Sequence, residues 1–251
     1  MAERGLARSR SGAAEAIRAG RVRLGPDGPI VDKPSALIEP DAELLVAAGR
    51  QYASRGGFKL ANALDSLAID VTGRDCLDAG ASTGGFTDCL LQRGAARVVA
   101  LDVASGQLDW TLRNDPRVEV LEDRNARDLR AGELPFAPDL ITVDVSFISL
   151  TKVLPALAAV LATGGDLLAM VKPQFELGKG RVKGGVVRSA DDRREALVTV
   201  AGAAAGLGLA VRGFASSGLP GPKGNRETFL WCEHGGEGVA DLEAAAREIE
   251  P

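Results

Sequence analysis

DAGASTGGFT, residues 78–87, closes one apolar run (76–79) and opens a helical pattern (86–92). A strand that ends in glycines and turns into a helix lets the backbone pass close under a ligand, with Thr83 or Thr87 able to start the helix. The same rhythm recurs downstream as 97–101 then 108–112, 140–144 then 150–161, and 167–172 then 193–205. Apolar strands alternating with crossover helices predict an α/β, Rossmann-like domain built on a parallel, doubly wound sheet. The last two runs, 210–215 and 228–232, have only the Ser-Gly-Pro-rich stretch 216–225 between them. They read as an antiparallel hairpin closing the sheet, which is where a methyltransferase sheet differs from a dehydrogenase sheet.

The ligand can be narrowed from the same loop. Asp102 ends the second strand 22 residues after Gly80, where an acid can accept hydrogen bonds from ribose hydroxyls. Sites for NAD and for S-adenosyl-L-methionine share such an acid. A dinucleotide fingerprint would read GxGxxG around a pyrophosphate, whereas GASTGG lacks the second glycine in that frame, so S-adenosyl-L-methionine is the expected cofactor. Candidate cofactor residues are Asp78, Gly80, Ser82, Thr83, Gly84, Gly85 and Phe86 of the loop, together with Asp102. Asn125, after the third strand, reads either as a contact to the adenine edge or as a solvated loop residue.

Composition excludes several classes. With 45% hydrophobic and 25% charged residues, the 251-residue chain is neither disordered nor collagen-like. Three cysteines without a CxxC pair write neither a disulfide framework nor a cysteine-rich zinc site, which fits a reducing cytoplasm. The single His234 rules out any site needing two histidines within one chain, and no metal is expected. The longest weakly polar run, 196–211, is too short and too rich in Ala and Gly to span a bilayer, and no apolar segment follows the arginine-rich start as a secretory signal requires. Net charge is −4, but it is segregated: residues 1–26 carry six Arg against two Glu, residues 172–188 five Lys or Arg against one Glu, and 233–251 six acids against one base. Such segregation is compatible with a phosphate-binding face on an acidic protein.

Residues 1–48 form a first segment, with a short helix (12–19, Ser9 or Ser11 as N-cap, Gly20 as stop) and short strands at 21–24, 30–32 and 43–47. Its pattern, SRSGAAEAIRAGRVRLGPDGPIVDKPSALIEPDAELLV, resembles the S4 RNA-binding domain. The resemblance implies that Arg8, Arg10, Arg18, Arg21 and Arg23 face phosphates; charge alone would equally allow a solvated face. S4 domains ordinarily open some residues earlier, so the resemblance implies a small α+β domain whose start is either placed late or trimmed. Residues 49–54 read as a linker, and 55–251 as the catalytic domain.

Two lysines and two carboxylates converge on one sheet edge. Asp144 ends the fourth strand and Lys172 the fifth, Glu227 opens the antiparallel last strand, and Lys59 lies on the helix before the first strand. In order, Lys59, Asp144, Lys172 and Glu227 match the K-D-K-E tetrad of FtsJ-like ribose 2′-O-methyltransferases. More narrowly, RQYA (50–53), SRGGFKL, DAGASTGGFTDCLLQ, VDVSFISL, VKPQFE, GKGRVKGGVVR and GNRE resemble the TlyA family along nearly the whole chain. That resemblance implies S-adenosyl-L-methionine-dependent methylation of cytidine 2′-hydroxyls in ribosomal RNA, on RNA or ribosomal subunits. It also implies that the linker takes part in cofactor binding and that Phe147 and Asp144 border the cofactor. Arg55 and the basic loop 178–188, with Lys179, Arg181 and Lys183, are expected to meet RNA; the loop could order on RNA or stay mobile. Lys172 is the expected contact to the 2′-oxygen, acting either as a base or as an orienting ammonium.

Three rivals remain. A membrane-lytic haemolysin, the label family members often carry, is disfavoured by the lack of a spanning segment and of a basic, aromatic amphipathic helix, Phe, Trp and Tyr being only 4% of the chain. A non-enzymatic RNA-binding protein would have no need of the tetrad. A small-molecule or protein methyltransferase would have no use for an S4-like arm.

Overall fold

The computed structural model describes the chain except for residues 2–3, 8–9, 19–21, 27, 30, 32, 40, 47–51, 179 and 222 and the side chains of residues 11, 15, 18 and 183. The chain divides into two compact units, Met1–Gln51 and Tyr52–Pro251. In the first, helix α1 (Arg10–Arg18) precedes strands β1 (Val22–Leu24) and β2 (Leu44–Val46), which pair antiparallel with Val22 opposite Val46. Ala16, Ile17, Val22, Val31 and Leu44 make a core of its own. The run expected as a strand at 30–32 lies partly outside the described residues; Val31 belongs to no strand, though its N–H donates to the Val22 carbonyl at 2.8 Å.

The second unit is the alternating pattern realised. Its elements are α2 (Arg55–Leu67), β3 (Asp75–Ala79), α3 (Gly85–Gln92), β4 (Arg97–Leu101), α4 (Trp110–Arg113), β5 (Val118–Leu121), β6 (Leu140–Val143), α5 (Leu154–Val160), β7 (Asp166–Val171), α6 (Pro173–Glu176), α7 (Ala190–Gly206), β8 (Leu209–Ser216), β9 (Thr228–His234) and α8 (Leu242–Ile249). The seven strands lie in the order β5-β4-β3-β6-β7-β9-β8. β9 runs antiparallel to both of its neighbours, and the pairs from β5 to β7 are parallel. From β3 the chain moves outward through β4 and β5 and then crosses to β6 on the other side of β3. The carboxyl ends of β3 and β6 therefore flank a topological switch point, where such sheets open a crevice.

Successive strand residues feed opposite faces, so both faces are sealed. On one, Leu60, Leu64, Cys89 and Leu90 from α2 and α3 pack on Cys76, Val98, Leu168 and Phe229. On the other, Leu154 and Leu157 of α5 and Leu197 and Val200 of α7 pack on Leu77, Val99, Ile141 and Leu167. Each fully buried leucine contributes roughly 1.5–3 kcal/mol relative to exposure. These layers hold the sheet edge rigid.

Two elements depart from expectation. The helix read at 150–161 breaks into a 3-10 turn (Leu150–Lys152) and α5, because Pro155 cannot donate the backbone bond a continuous helix needs. The acidic stretch after Glu233 contains a docked helix, α8, with Asp241 accepting from the Ala244 N–H at 3.0 Å and Ala246 buried. Just beyond it, buried Glu250 pairs with Arg193 Nε at 2.8 Å.

Candidate functional site

The crevice at the switch point is a cleft of about 1050 Å³ lined by residues from the segments after β3, β4, β5, β6 and β7. Gly80 forms its floor. Its backbone is left-handed (φ 94°), and a Cβ there would lie 2.6 Å from the Asp144 carbonyl oxygen, so only glycine lets the turns after β3 and β6 approach this closely. Opposite, Asp102 accepts from the N–H groups of Ser82 and Ala104, each at 2.8 Å. A carboxylate has about four acceptor sites, so two of them remain for hydroxyls of a ligand. Asn125 caps the 3-10 turn Ala126–Asp128 by accepting from the Arg127 N–H at 3.2 Å, and also lines the cleft.

Of the candidate cofactor residues, Gly80, Ser82, Asp102, Asn125, Asp144 and Phe147 line the cleft. Asp78, Thr83, Gly84, Gly85 and Phe86 do not, and each has another task. Gly84 caps α3 with φ 94°, and a Cβ there would come within 2.3 Å of Leu112 and 2.8 Å of Leu108. Gly85 makes room for Ser54, whose Oγ would lie 2.1 Å from an added Cβ. Phe86 packs on Phe229 with ring centroids 5.8 Å apart, and the Thr83 carbonyl accepts from the Asp109 N–H at 3.2 Å. Neither threonine starts α3: Thr87 Oγ1 instead donates to Asp78 at 2.7 Å. Asp78 is fully buried, and its other oxygen has no hydrogen-bond partner among the described residues. Burial pushes its pKa up to about 7, with the charge of Asp144 adding and the Thr87 hydrogen bond opposing.

The four charged residues resolve into two ion pairs. Val171 stands opposite Thr228, so Lys172 and Glu227 leave the β7–β9 ladder side by side, Glu227 just before the strand it was expected to open. Lys172 Nζ nevertheless pairs with Asp144 Oδ1 at 2.5 Å, across the neighbouring strand ends of β7 and β6. It also donates to Ser146 Oγ at 2.8 Å. Lys59 on α2 pairs with Glu227, both buried. Among the described residues no hydrogen bond or ion pair joins Lys59 to Lys172. Asp144 and Ser146 line the cleft, whereas Lys59, Lys172 and Glu227 are not among its lining residues.

Ser146 went unnoticed in the sequence, although a serine two positions after Asp144 at a strand end was a legible signal. The cleft-lining Gln107, Arg127, Lys152 and Gln174 had no such mark.

The expected RNA contacts are unevenly placed. Arg8, Arg21 and Lys179 lie outside the described residues, as do the side chains of Arg18 and Lys183. Arg10 opens α1, and Arg23 donates to the Gly28 carbonyl at 3.1 Å. Arg55 donates to the Pro220 carbonyl at 2.9 Å. Arg181 is engaged by Asp192 and Glu195 of α7. Around it, Leu177, Val182 and Val187 pack with Ala196, while buried Asn225 accepts from the Val187 N–H at 2.8 Å and donates to the Gly185 carbonyl at 2.7 Å. The described part of this basic loop is thus docked on the domain. Likewise Tyr52–Ser54, read as linker, are built into the second unit: the Ala53 N–H donates to Asp88 at 2.7 Å, and Ser54 caps α2.

Comparison with known proteins agrees with this fold. Residues 52–234 match the family model described as FtsJ-like methyltransferase. A Mycobacterium tuberculosis protein named 16S/23S rRNA (cytidine-2′-O)-methyltransferase TlyA is 52% identical over 234 residues, 92% of this chain and 87% of its own. A Campylobacter jejuni protein named 23S rRNA (cytidine-2′-O)-methyltransferase TlyA is 34% identical over 200 residues, 79% of this chain and 77% of its own. A solved structure from Streptococcus thermophilus that carries a provisional hemolysin name superposes with a TM-score of 0.76 at 37% identity, covering 96% of this chain and 90% of that one.

Proposed function

The chain belongs to the FtsJ-like methyltransferases and, within them, to the TlyA family, and on that premise we propose that it transfers a methyl group from S-adenosyl-L-methionine to the 2′-hydroxyl of a cytidine in ribosomal RNA. The observation that carries this reading is the Lys172–Asp144 ion pair, whose carboxylate residue lines the same cleft as Asp102. The cofactor supplies an electrophilic methyl on a sulfonium. Asp102 and Asn125 hold its adenosyl portion, and Gly80 gives it backbone clearance. The chemistry needs no redox partner, so positioning and electrostatics supply the acceleration.

Lys172 carries the alignment of the nucleophile. The Lys172 ammonium donates one N–H to Ser146 and is ion-paired with Asp144, which leaves a donor to orient a lone pair of the ribose 2′-oxygen. Asp144, which borders the cleft, takes the hydroxyl proton and balances positive charge. Lys59 and Glu227 join α2 to the sheet edge from which Lys172 projects and do not touch the reacting oxygen. The arginines of residues 1–48 act as an S4-like arm that grips RNA phosphates. Among the described residues no helix is long and apolar enough to cross a membrane, so nothing in the fold favours the membrane-lytic reading.

The test is methyl transfer from labelled S-adenosyl-L-methionine to ribosomal RNA, with calorimetric cofactor binding in parallel. Wild type is expected to transfer. Lys172→Ala is expected to lose at least about a hundredfold in rate, and Ser146→Ala a smaller amount, both with cofactor affinity nearly intact. A Lys172→Ala protein working at wild-type rate would overturn the assignment of that residue. Wild-type binding of NAD in place of S-adenosyl-L-methionine would overturn the reading as a whole.

A further inference from the structure

VKPQFE contributes Lys172 to the site, but its last residue has had no role so far. Glu176 is half-buried at the end of α6, and no cation is paired with it among the described residues. Its Oε2 accepts from Ser149 Oγ at 2.6 Å and its Oε1 from the Leu150 N–H at 3.0 Å. Ser149 and Leu150 end the segment that begins at Asp144. The two ends of one short stretch therefore grip the two ends of another: Lys172 holds Asp144 and Ser146, and Glu176, four residues on, holds Ser149 and Leu150.

Between these grips lies a strained residue. Phe147 adopts φ 65°, the left-handed region, which costs a β-carbon-bearing residue roughly 1–3 kcal/mol and persists only where the surroundings over-determine it. Phe147 is 91% exposed and lines the cleft, with the ring of Phe175, the residue before Glu176, at a centroid distance of 5.2 Å. At its amino end the segment is pinned by the Asp144 N–H donating to the Ala79 carbonyl at 2.9 Å. With that end alone fixed, Phe147 could relax to an ordinary conformation, turning Ser146 away from Lys172 and reshaping the cleft wall.

We propose that Glu176 is a positioning residue for the reaction: it clamps the carboxyl end of segment 144–149 and so holds Ser146 against Lys172 and Phe147 in the cleft wall. The inference rests on the functional reading above for its rate readout, but cofactor affinity supplies a second readout that does not. The segment forms one wall of the cleft, so loosening it changes both quantities. Displacements of about 1 Å suffice to cost up to a hundredfold in rate.

The experiment uses the full chain with Glu176→Ala, Glu176→Gln, Ser149→Ala and the Glu176→Ala/Ser149→Ala double variant. It measures kcat and KM for methyl transfer to ribosomal RNA, the calorimetric Kd for S-adenosyl-L-methionine, and thermal stability. Glu176→Ala is expected to lower kcat at least tenfold and to weaken cofactor binding several-fold while KM for RNA moves little. Glu176→Gln is expected to restore both quantities, since its oxygen still accepts from Leu150 and its amide donates to Ser149. Ser149→Ala is expected to show a smaller effect in the same direction, and the double variant to be no worse than Glu176→Ala. A folded Glu176→Ala with wild-type kcat and Kd, or a Glu176→Gln as impaired as the alanine variant, overturns the proposal. If Glu176→Ala does not fold, Glu176→Gln and Ser149→Ala decide: a Ser149→Ala with unchanged kcat and Kd sinks it. If wild type binds the cofactor but transfers nothing to RNA, the functional reading fails, and the Kd series alone judges Glu176.

Discussion

Lys59, on the helix before β3, and Glu227, beside the antiparallel strand β9, form a buried ion pair between positions 168 residues apart. Taking two charges out of water costs several kcal/mol per ion, which their attraction only partly offsets. The pair joins α2 to the sheet edge from which Lys172 projects, since Glu227 precedes Thr228, the partner of Val171 in the β7–β9 ladder. Its value therefore lies in where it holds other groups, and the two contributions can be separated.

Removing one partner should strand the other charge. Lys59→Ala is expected to lower stability by about 3–5 kcal/mol and to depress activity with it. The apolar pair Lys59→Met/Glu227→Leu should recover most of the stability. Chemical denaturation and methyl-transfer rates on the same preparations separate the outcomes: recovery of full activity together with stability would mean that the charges serve packing alone.

The loop glycines should behave differently from one another. At Gly80 a methyl group would strike the Asp144 backbone, so Gly80→Ala is expected to displace the turn after β6 and to abolish cofactor binding. At Gly84 it would meet Leu112 and Leu108 side chains in a left-handed cap, so Gly84→Ala should cost about 1–3 kcal/mol of stability and weaken cofactor binding less. Paired denaturation and calorimetry check this. Equal loss of cofactor affinity in both would place Gly84 in the cofactor site after all.

Asp78 should write a pH dependence into stability. Burial raises its pKa from the ordinary 3.8 to about 7, so between these values the folded chain holds a proton that the unfolded chain has released. Its contribution is complete below about pH 4 and fades as pH rises through 7. Asp78→Asn cannot ionise and is expected to show a flatter stability profile over that window. Denaturation midpoints measured from pH 4 to pH 8 test it, and identical slopes for wild type and variant would refute it.

Arg181 and the arginines of the first unit should differ in their response to salt. The Arg181 guanidinium is already neutralised by Asp192 and Glu195, so Arg181→Ala is expected to leave the slope of log affinity against log salt for RNA unchanged. Substituting Arg18, Arg21 or Arg23 should flatten that slope by about 0.7–0.9 for each lost phosphate contact. A slope that moves only with Arg181 would transfer the RNA face to the basic loop.

These contrasts mark what the chain discloses before it folds. Asp144, Lys172 and Asp102 were legible because strand ends in a βαβ rhythm all arrive at one edge. The packing role of Gly84 was not legible for a physical reason: a glycine required by a ligand and one required by Leu112 look alike until α4 is placed. The partners of Arg181 belong to a helix folded back on the loop, which local charge statistics cannot show. Helix α8 was legible and overlooked, since Asp241 is an ordinary capping residue ahead of an alanine-rich amphipathic stretch. So was the break at Pro155.

The position of β9 between β7 and β8 also governs when the site can exist during synthesis. β8 leaves the ribosome before β9, yet in the finished sheet it pairs with β9 and not with β7, so it must wait at the edge for a later strand to slide in. Lys59 waits longer still, because the partner that neutralises it emerges 168 residues afterwards. A nascent chain halted before β9 carries the cofactor-side loops complete but has an open sheet edge and an orphaned lysine. The Lys59–Glu227 pair and the closed β7–β9–β8 edge therefore depend on the last quarter of the chain, whereas the residues that meet in the Lys172–Asp144 pair precede it.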